Sequence, residues 1–226
     1  QQKVRYLTSL FSEVYLKDII ERNHIEKIQE LEDLINILAS SVGSLTNPSR
    51  IEATFRSNVH SSISVNTIRQ YVECLEAAYI IHGANRYDVK GRKYIGAPRK
   101  YYFEDTGLRN ARLGFRQTEE THLMENIVYN ELRSRGYSVD VGIVQQRYRA
   151  QDGRQEKKQM EIDFVAHLGS RRYYIQSAFA LPTPEKRQQE KASLLQVQDS
   201  FKKIILVKDV INVSRDEDGI TMMSIF

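Results

Sequence analysis

Apolar residues recur at helical spacing through residues 1–78 of the chain. The clearest case is residues 28–42, in which six apolar side chains fall on one face of a predicted helix. Residues 1–23 show the same spacing. Asn47 and Ser64 are typical N-caps and predict the starts of two shorter helices. The pattern therefore predicts a chain that begins with helices only.

After residue 78 the pattern changes to the alternation that is typical of strands. Two predicted strands, at residues 79–87 and 100–104, flank a charged turn at residues 89–92. Three helices followed by a two-stranded hairpin are the plan of a winged helix, which is a helix-turn-helix variant. The composition changes near Asp105. We therefore predict a helical lead-in and winged-helix domain over residues 1–110.

Residues 111–226 alternate between predicted helices and strands. A strong amphipathic helix at residues 119–135 precedes three strands and a polar helix, and strands at residues 202–207 and 220–225 end the chain. This order predicts an α/β domain, so the fold class predicted for the whole chain is α+β. The polar stretch at residues 145–159 is interpreted as a long hairpin loop.

The composition excludes several classes of protein. With 41% hydrophobic and 27% charged residues among 226, the chain is typical of a globular protein. Cys74 is the single cysteine, which excludes a disulfide framework and a cysteine-rich zinc site. We find no transmembrane run, secretory signal, initiator Met or P-loop, so we expect a cytoplasmic fragment without a cofactor of its own that does not hydrolyse ATP.

Positive charge is concentrated between Arg86 and Arg116, a stretch that contains nine basic residues and only three acidic ones. If the charged turn is the tip of a wing, several of these cations meet a phosphate backbone. A partner domain and plain solvation are the alternative interpretations of the same charges. The predicted nucleic-acid-binding residues are Arg69, Lys90, Arg92, Lys93, Arg99 and Lys100.

A second set of polar residues is typical of a PD-(D/E)XK nuclease site. Glu125 lies on a predicted helix, and Asp163 and Gln176 lie on the two strands that follow it. Carboxylates in this order hold Mg²⁺, which activates a water molecule and clamps the phosphate. Ala178 occupies the position of the lysine that completes the pattern. We therefore expect a degenerate site in which Glu125 and Asp163 bind Mg²⁺ weakly at best, with an active nuclease as the alternative.

Six motifs together resemble the C-terminal region of a family of bacterial and archaeal AAA+ ATPases. They lie at residues 14–20, 66–76, 100–108, 125–132, 161–165 and 174–176, and the resemblance covers about residues 5–226. It implies a winged helix followed by a restriction-endonuclease-like domain over residues 111–226. It also implies an N-terminal P-loop module, outside this chain, that binds and hydrolyses ATP, and a short apolar segment after Phe226.

Three functions remain as hypotheses. The first is a target-binding and coupling module that attaches the ATPase motor to DNA. The second is a metal-dependent nuclease domain coupled to ATP hydrolysis, and the third is a protein-interaction or oligomerisation module without nucleic acid. The expected partners are DNA and the N-terminal AAA+ module of the same protein, with no membrane; an oligomer is compatible with each hypothesis.

Overall fold

The structure, a computed structural model, describes residues 2–59, 63–116, 119–149 and 154–226. It is mixed α/β, with several helices and one large mixed sheet, and this confirms the α+β class. The chain divides into two compact units, and neither is continuous in sequence. The first comprises Gln1–Gly83 and Ala97–Asn126, and the second comprises Ala84–Gly96 and Ile127–Phe226. The predicted domain boundary at residue 110 stays a prediction.

The first unit is built on helices whose apolar faces form its core. Leu31, Leu34 and Leu38 recur at helical spacing on one helix, and each is at most 1% exposed. π-Helical segments occur at Leu10–Leu16 and Phe55–Val59. The α-helices that contribute to this unit are α1 (Gln2–Ser9), α2 (Lys17–Asn23), α3 (Ile28–Ser40), α4 (Pro48–Thr54), α5 (Val65–Ala77), α6 (Thr106–Arg112) and the start of α7 (Glu120–Ser134).

Side-chain caps fix where the short helices begin. Asn47 Oδ1 accepts a hydrogen bond from Arg50 N at 2.8 Å, and Pro48 follows at the first helical position. Ser64 Oγ accepts from Thr67 N at 3.0 Å. The two caps predicted from the sequence are therefore confirmed.

Eight strands of the described residues form the sheet, in the order β2-β1-β3-β4-β5-β6-β8-β7. The pairs β1–β3, β5–β6 and β6–β8 are parallel, whereas β3–β4, β4–β5 and β7–β8 are antiparallel. The strands are β1 (Ile81–Asp88), β2 (Lys93–Phe103), β3 (Ser138–Arg149), β4 (Gln155–Leu168), β5 (Arg171–Ala178), β6 (Lys202–Val207), β7 (Ser214–Arg215) and β8 (Ile220–Ser224).

In the second unit, helices cover both faces of the sheet. Tyr129 of α7 packs on Phe164, with ring centroids 6.3 Å apart, and Phe164 pairs with Ile175 in the register of β4 and β5. The second helix of this unit is α8 (Pro184–Leu194), and its Ser193 bonds to Gln176. Because Gln176 and Ile175 alternate along β5, α7 and α8 pack on opposite faces.

Two expectations about individual elements were wrong, and two elements were not predicted. The predicted loop at residues 145–159 consists largely of strand, because β3 runs to Arg149 and β4 starts at Gln155; residues 150–153 lie outside the described part. The strand predicted at residues 100–104 starts earlier, at Lys93. The helix α6 and the strand β7 were not predicted.

Candidate functional site

The turn between β1 and β2 presents a group of exposed cations, which we call the basic turn (residues 90–93). Lys90, Arg92 and Lys93 are all exposed. Asp88 Oδ1 accepts a hydrogen bond from Gly91 N at 2.9 Å, which closes the turn. Arg92 adopts a φ of 50°, a left-handed conformation that directs the chain into β2. The fold therefore places three of the predicted phosphate-binding residues on one solvated turn of the second unit.

The other three predicted cations lie in the first unit, in different surroundings. Arg69 is exposed on α5. Arg99 is part-buried, and its guanidinium donates to Glu76 Oε1 at 3.0 Å and to the carbonyl of Gly83 at 2.9 Å. Lys100 is 4% exposed and donates to Glu125 Oε1 at 2.9 Å. Phosphate binding by Arg99 or Lys100 would require these ion pairs to open.

Much of the positive charge between residues 86 and 116 is internal. Arg109 is 1% exposed, and its Nε donates to the carbonyl of Ala39 at 2.8 Å. Burial lowers the pKa of this guanidinium from its ordinary value. Arg112 pairs with Glu32 at 2.9 Å, and Arg86 is buried. The net charge of the sequence stretch is therefore a poor measure of the charge that it presents to solvent.

Glu125, the predicted helix ligand for Mg²⁺, is held by groups of the first unit. Its Oε1 accepts from Lys100 Nζ and from the hydroxyl of Tyr102, which lies 2.7 Å away. Gly43 has a φ of +72°, and a Cβ there would lie 3.2 Å from each carboxylate oxygen. The backbone conformation and the close approach of Glu125 both favour glycine at residue 43.

The remaining predicted nuclease-like residues lie together in the second unit. Extending the β4–β5 register by one residue beyond Phe164↔Ile175 sets Asp163 opposite Gln176. Asp163 Oδ2 accepts from Ser177 N at 2.8 Å, and Gln176 Oε1 accepts from Ser193 Oγ at 3.4 Å. Ala178 is 3% exposed and belongs to the hydrophobic core beneath α8. The predicted lysine position therefore points into the core.

In the described part of the chain, no group of three or more His, Cys, Asp or Glu side chains could hold a metal ion. Glu125 belongs to the first unit and Asp163 to the second. Binding of Mg²⁺ by Glu125 and Asp163 therefore stays a prediction, and it concerns residues of two different units.

The second unit contains a buried polar cluster that its sequence does not predict. Asp140 is 4% exposed, and its Oδ2 has no hydrogen-bond partner. Burial raises the pKa of Asp140 to about 6. A hydrogen bond from Tyr94 acts in the opposite direction but is the smaller effect. Nearby, Arg172 stacks on the Tyr87 ring at 5.5 Å, and Tyr87 packs edge-on against Tyr94. Asp140 alternates with apolar residues in the sequence, as an exposed strand residue would, so no local signal marks it as buried.

Residues 1–119 match the model of a protein family described as a domain of unknown function, DUF8612. The chain belongs to the DUF8612 family. A Haemophilus influenzae protein, named only as uncharacterised, is 34% identical over 204 residues, which cover 90% of this chain and 47% of the relative. An uncharacterised Methanocaldococcus jannaschii protein is 26% identical over 190 residues, covering 84% of this chain and 40% of the relative. No solved structure matches.

The DUF8612 match ends just before α7, whereas the two relatives match more residues than the DUF8612 region contains. Their similarity therefore continues into the second half of the chain. The chain spans less than half of the length of each relative. In the described part of the chain, no helix is both long and apolar enough to cross a membrane.

Proposed function

We propose that this member of the DUF8612 family is a DNA-binding module that couples the ATPase motor of a longer protein to its target. The observation that carries this proposal is the basic turn, in which Lys90, Arg92 and Lys93 are exposed within four residues. No carboxylate of the described residues forms an ion pair with any of the three. When such cations neutralise DNA phosphates, the counterions condensed on the DNA are released. This release drives binding to DNA of any sequence.

The order of elements along the chain supports a winged helix in this proposal. The order is α3, α4 and α5, followed by the hairpin of β1 and β2. Between α3 and α4, Thr46 and Arg99 form an antiparallel bridge with two backbone hydrogen bonds of 2.8 Å each. This isolated bridge pairs residue 46 with β2, at the place in the chain order where a winged helix has its short third strand. Arg69 is exposed on α5, which is the recognition helix in this proposal.

The ATPase part of the proposal rests on the resemblance of the motifs to the C-terminal region of AAA+ proteins. The two relatives are more than twice as long as the segment that they share with this chain. That length leaves room for a P-loop module, which the 226 residues do not contain. In the longer protein, this chain would hold the substrate while ATP is hydrolysed elsewhere.

The second unit, in this proposal, keeps the plan of a PD-(D/E)XK domain but binds DNA without cleaving it. The side chains that would serve catalysis already have structural partners: Asp163 accepts from the backbone of Ser177, and Gln176 accepts from Ser193. Ala178 supplies no charge and lies in the core. A site without its lysine loses the donor that offsets developing negative charge, which typically costs about 10²–10³ in rate.

The direct test is a titration of fluorescently labelled duplex DNA with the 226-residue chain at increasing KCl concentrations. We expect the logarithm of the association constant to fall linearly with the logarithm of the salt concentration. The slope should correspond to at least about three phosphate contacts. Absence of binding at low salt would contradict the proposal.

A further inference from the structure

The strands β3 and β4 continue far beyond the rest of the sheet. Their pairing runs from Ser138↔His167 to Arg149↔Gln155. In contrast, β1 pairs with β3 only as far as Ile143, and β5 pairs with β4 only from Phe164 onward. Residues 145–149 and 155–159 therefore pair only with each other, and we call them the β-ribbon. Its five residue pairs extend for about 16 Å.

Burial of apolar side chains does not explain why the β-ribbon forms. The core ends at the pair Val144↔Met160, and the described ribbon side chains are exposed, apart from Gln146, which is half-buried. Tyr148 is its one apolar ring and bonds to Glu156. An isolated two-stranded hairpin is marginally stable in water, so packing does not explain this extension.

The composition of the β-ribbon is typical of a segment that binds a polyanion. Its ten residues include four cations and four glutamines, against a single carboxylate on Glu156. Lys157 and Lys158 are consecutive on β4 and both are exposed, so each face of the ribbon presents a cation to solvent. The four cations are Arg147, Arg149, Lys157 and Lys158.

The β-ribbon leaves the sheet at the same end as the basic turn. Because β1 and β3 are parallel and Asp88 lies opposite Ile143, the chain passes from Asp88 into the basic turn beside the place where β3 enters the ribbon. A backbone hydrogen bond of 3.1 Å from Val89 N to the carbonyl of Ile143 fixes this edge. The second unit therefore presents two basic projections from one edge of its sheet.

We propose that the β-ribbon enters the major groove of B-form DNA while the basic turn contacts the adjacent phosphates. The inference rests on the proposed function, to which it adds the form of the nucleic acid and the groove that is bound. The major groove of B-DNA admits a two-stranded ribbon, and Lys, Arg and Gln are side chains that bond to purine edges there. The deep, narrow major groove of duplex RNA does not admit such a ribbon.

The test compares the 226-residue chain with a shortened variant in which Asn-Gly replaces residues 147–157. Gln146 and Lys158 are paired, so a two-residue turn can close the hairpin without disturbing the core. Dimethyl sulfate methylates guanine N7, which faces the major groove. On a short duplex saturated with protein, we expect the unmodified chain to protect N7 and the shortened variant to leave it reactive.

A charge variant keeps the test independent of the folding of the shortened chain. Lys157→Gln with Lys158→Gln should flatten the salt dependence of binding by about two in slope. The matched control, Arg187→Gln with Lys202→Gln, removes two exposed charges of the same unit that are not part of the ribbon. The control should keep the slope of the unmodified chain.

The outcomes separate this inference from the proposed function. If the unmodified chain binds DNA but the shortened variant retains both N7 protection and the salt slope, the ribbon inference is wrong and the proposed function stands. Equal affinity for duplex RNA would also overturn the ribbon inference. If removal of the basic-turn charges changes nothing while the ribbon variants lose protection and slope, the ribbon enters the groove, but the phosphate contacts assigned to the turn, on which the proposed function depends, are wrong. If the unmodified chain does not bind DNA, both fail.

Discussion

The ammonium group of Lys100 donates to Glu125 Oε1 at 2.9 Å in the interior of the first unit. The sequence suggested separate roles for these residues, phosphate binding for Lys100 and metal binding for Glu125. In the fold their charges compensate each other, and Tyr102 adds a third hydrogen-bonding group. Pairing of this kind satisfies two groups that would be costly to bury alone. The pair therefore has a structural role in the first unit, whichever function the chain performs.

Removing one partner of this pair should destabilise the chain strongly. We expect Glu125→Gln to lower the free energy of unfolding by about 3–5 kcal/mol, because Lys100 is left as an uncompensated buried charge. Urea denaturation measures the change. Glu131→Gln is the control on the same helix, since its exposed pair with Arg135 should contribute less than about 1 kcal/mol. Equal stability of the two variants would show that the buried pair contributes little.

The same variant tests the predicted metal site. If Glu125 is a ligand, Mg²⁺ should raise the melting temperature of the unmodified chain, and Glu125→Gln should abolish that rise. If the carboxylate serves only Lys100 and Tyr102, Mg²⁺ should shift the melting temperature equally in the two proteins. Differential scanning fluorimetry with and without Mg²⁺ distinguishes the two results.

Asp140 should make the stability of the chain depend on pH. Burial raises its pKa in the folded state to about 6, above the ordinary value of an unfolded aspartate. The folded state therefore binds the proton more tightly, and stability is lost as the pH rises from about 4 to about 6. The full penalty, up to about 3 kcal/mol, is present at neutral pH.

Asp140→Asn removes the charge and should stabilise the chain at pH 7.5 by up to about 3 kcal/mol. It should have little effect at pH 4, where Asp140 is already largely protonated. Thermal unfolding over this pH range measures the difference, and Asp209→Asn at an exposed position is the control. A constant difference between Asp140→Asn and the unmodified chain at all pH values would contradict the assignment.

Ala178→Lys restores the residue that the nuclease pattern requires, but the structure predicts a loss of stability. Ala178 is 3% exposed in the core that includes Leu194 and Val207. A larger side chain there should cost about 1–3 kcal/mol through overpacking, and the buried ammonium group adds to this cost. Ala178→Leu is the control for size alone. If Ala178→Lys is instead stable and cleaves DNA in the presence of Mg²⁺, residue 178 lies in an active site.

The sequence predicted the elements that combine periodicity with a clear start or end. The predicted helices at α3, α5 and α7 lie within a few residues of the observed ones, and β6 has the predicted bounds, because apolar spacing is decisive there. The first half of β2 was missed because Gly96 and Pro98 interrupt its alternation. The β-ribbon was missed because strands exposed on both faces carry no hydrophobic pattern.

The candidate sites were less predictable than the elements. Sequence spacing placed Asp163 and Gln176 on neighbouring strands, and the register supports that placement. It gave no indication that Lys100 and Arg109 are buried, because their burial depends on partners far away in sequence, such as Ala39 and Glu125. Long-range pairing decides which charges reach solvent, and local composition does not report it.

The basic turn is the feature on which the proposed function depends, and the salt dependence of DNA binding tests it most directly. The variant combines Lys90→Ala, Arg92→Ala and Lys93→Ala. A control combines Lys27→Ala, Arg187→Ala and Lys202→Ala, which removes the same number of exposed lysines and arginines elsewhere. Fluorescence anisotropy with labelled duplex DNA over a range of KCl concentrations gives the slope for each protein. We predict that the turn variant flattens the slope by up to about three, while the control keeps a steeper slope. Equal slopes for the turn variant and the unmodified chain would contradict the proposed function.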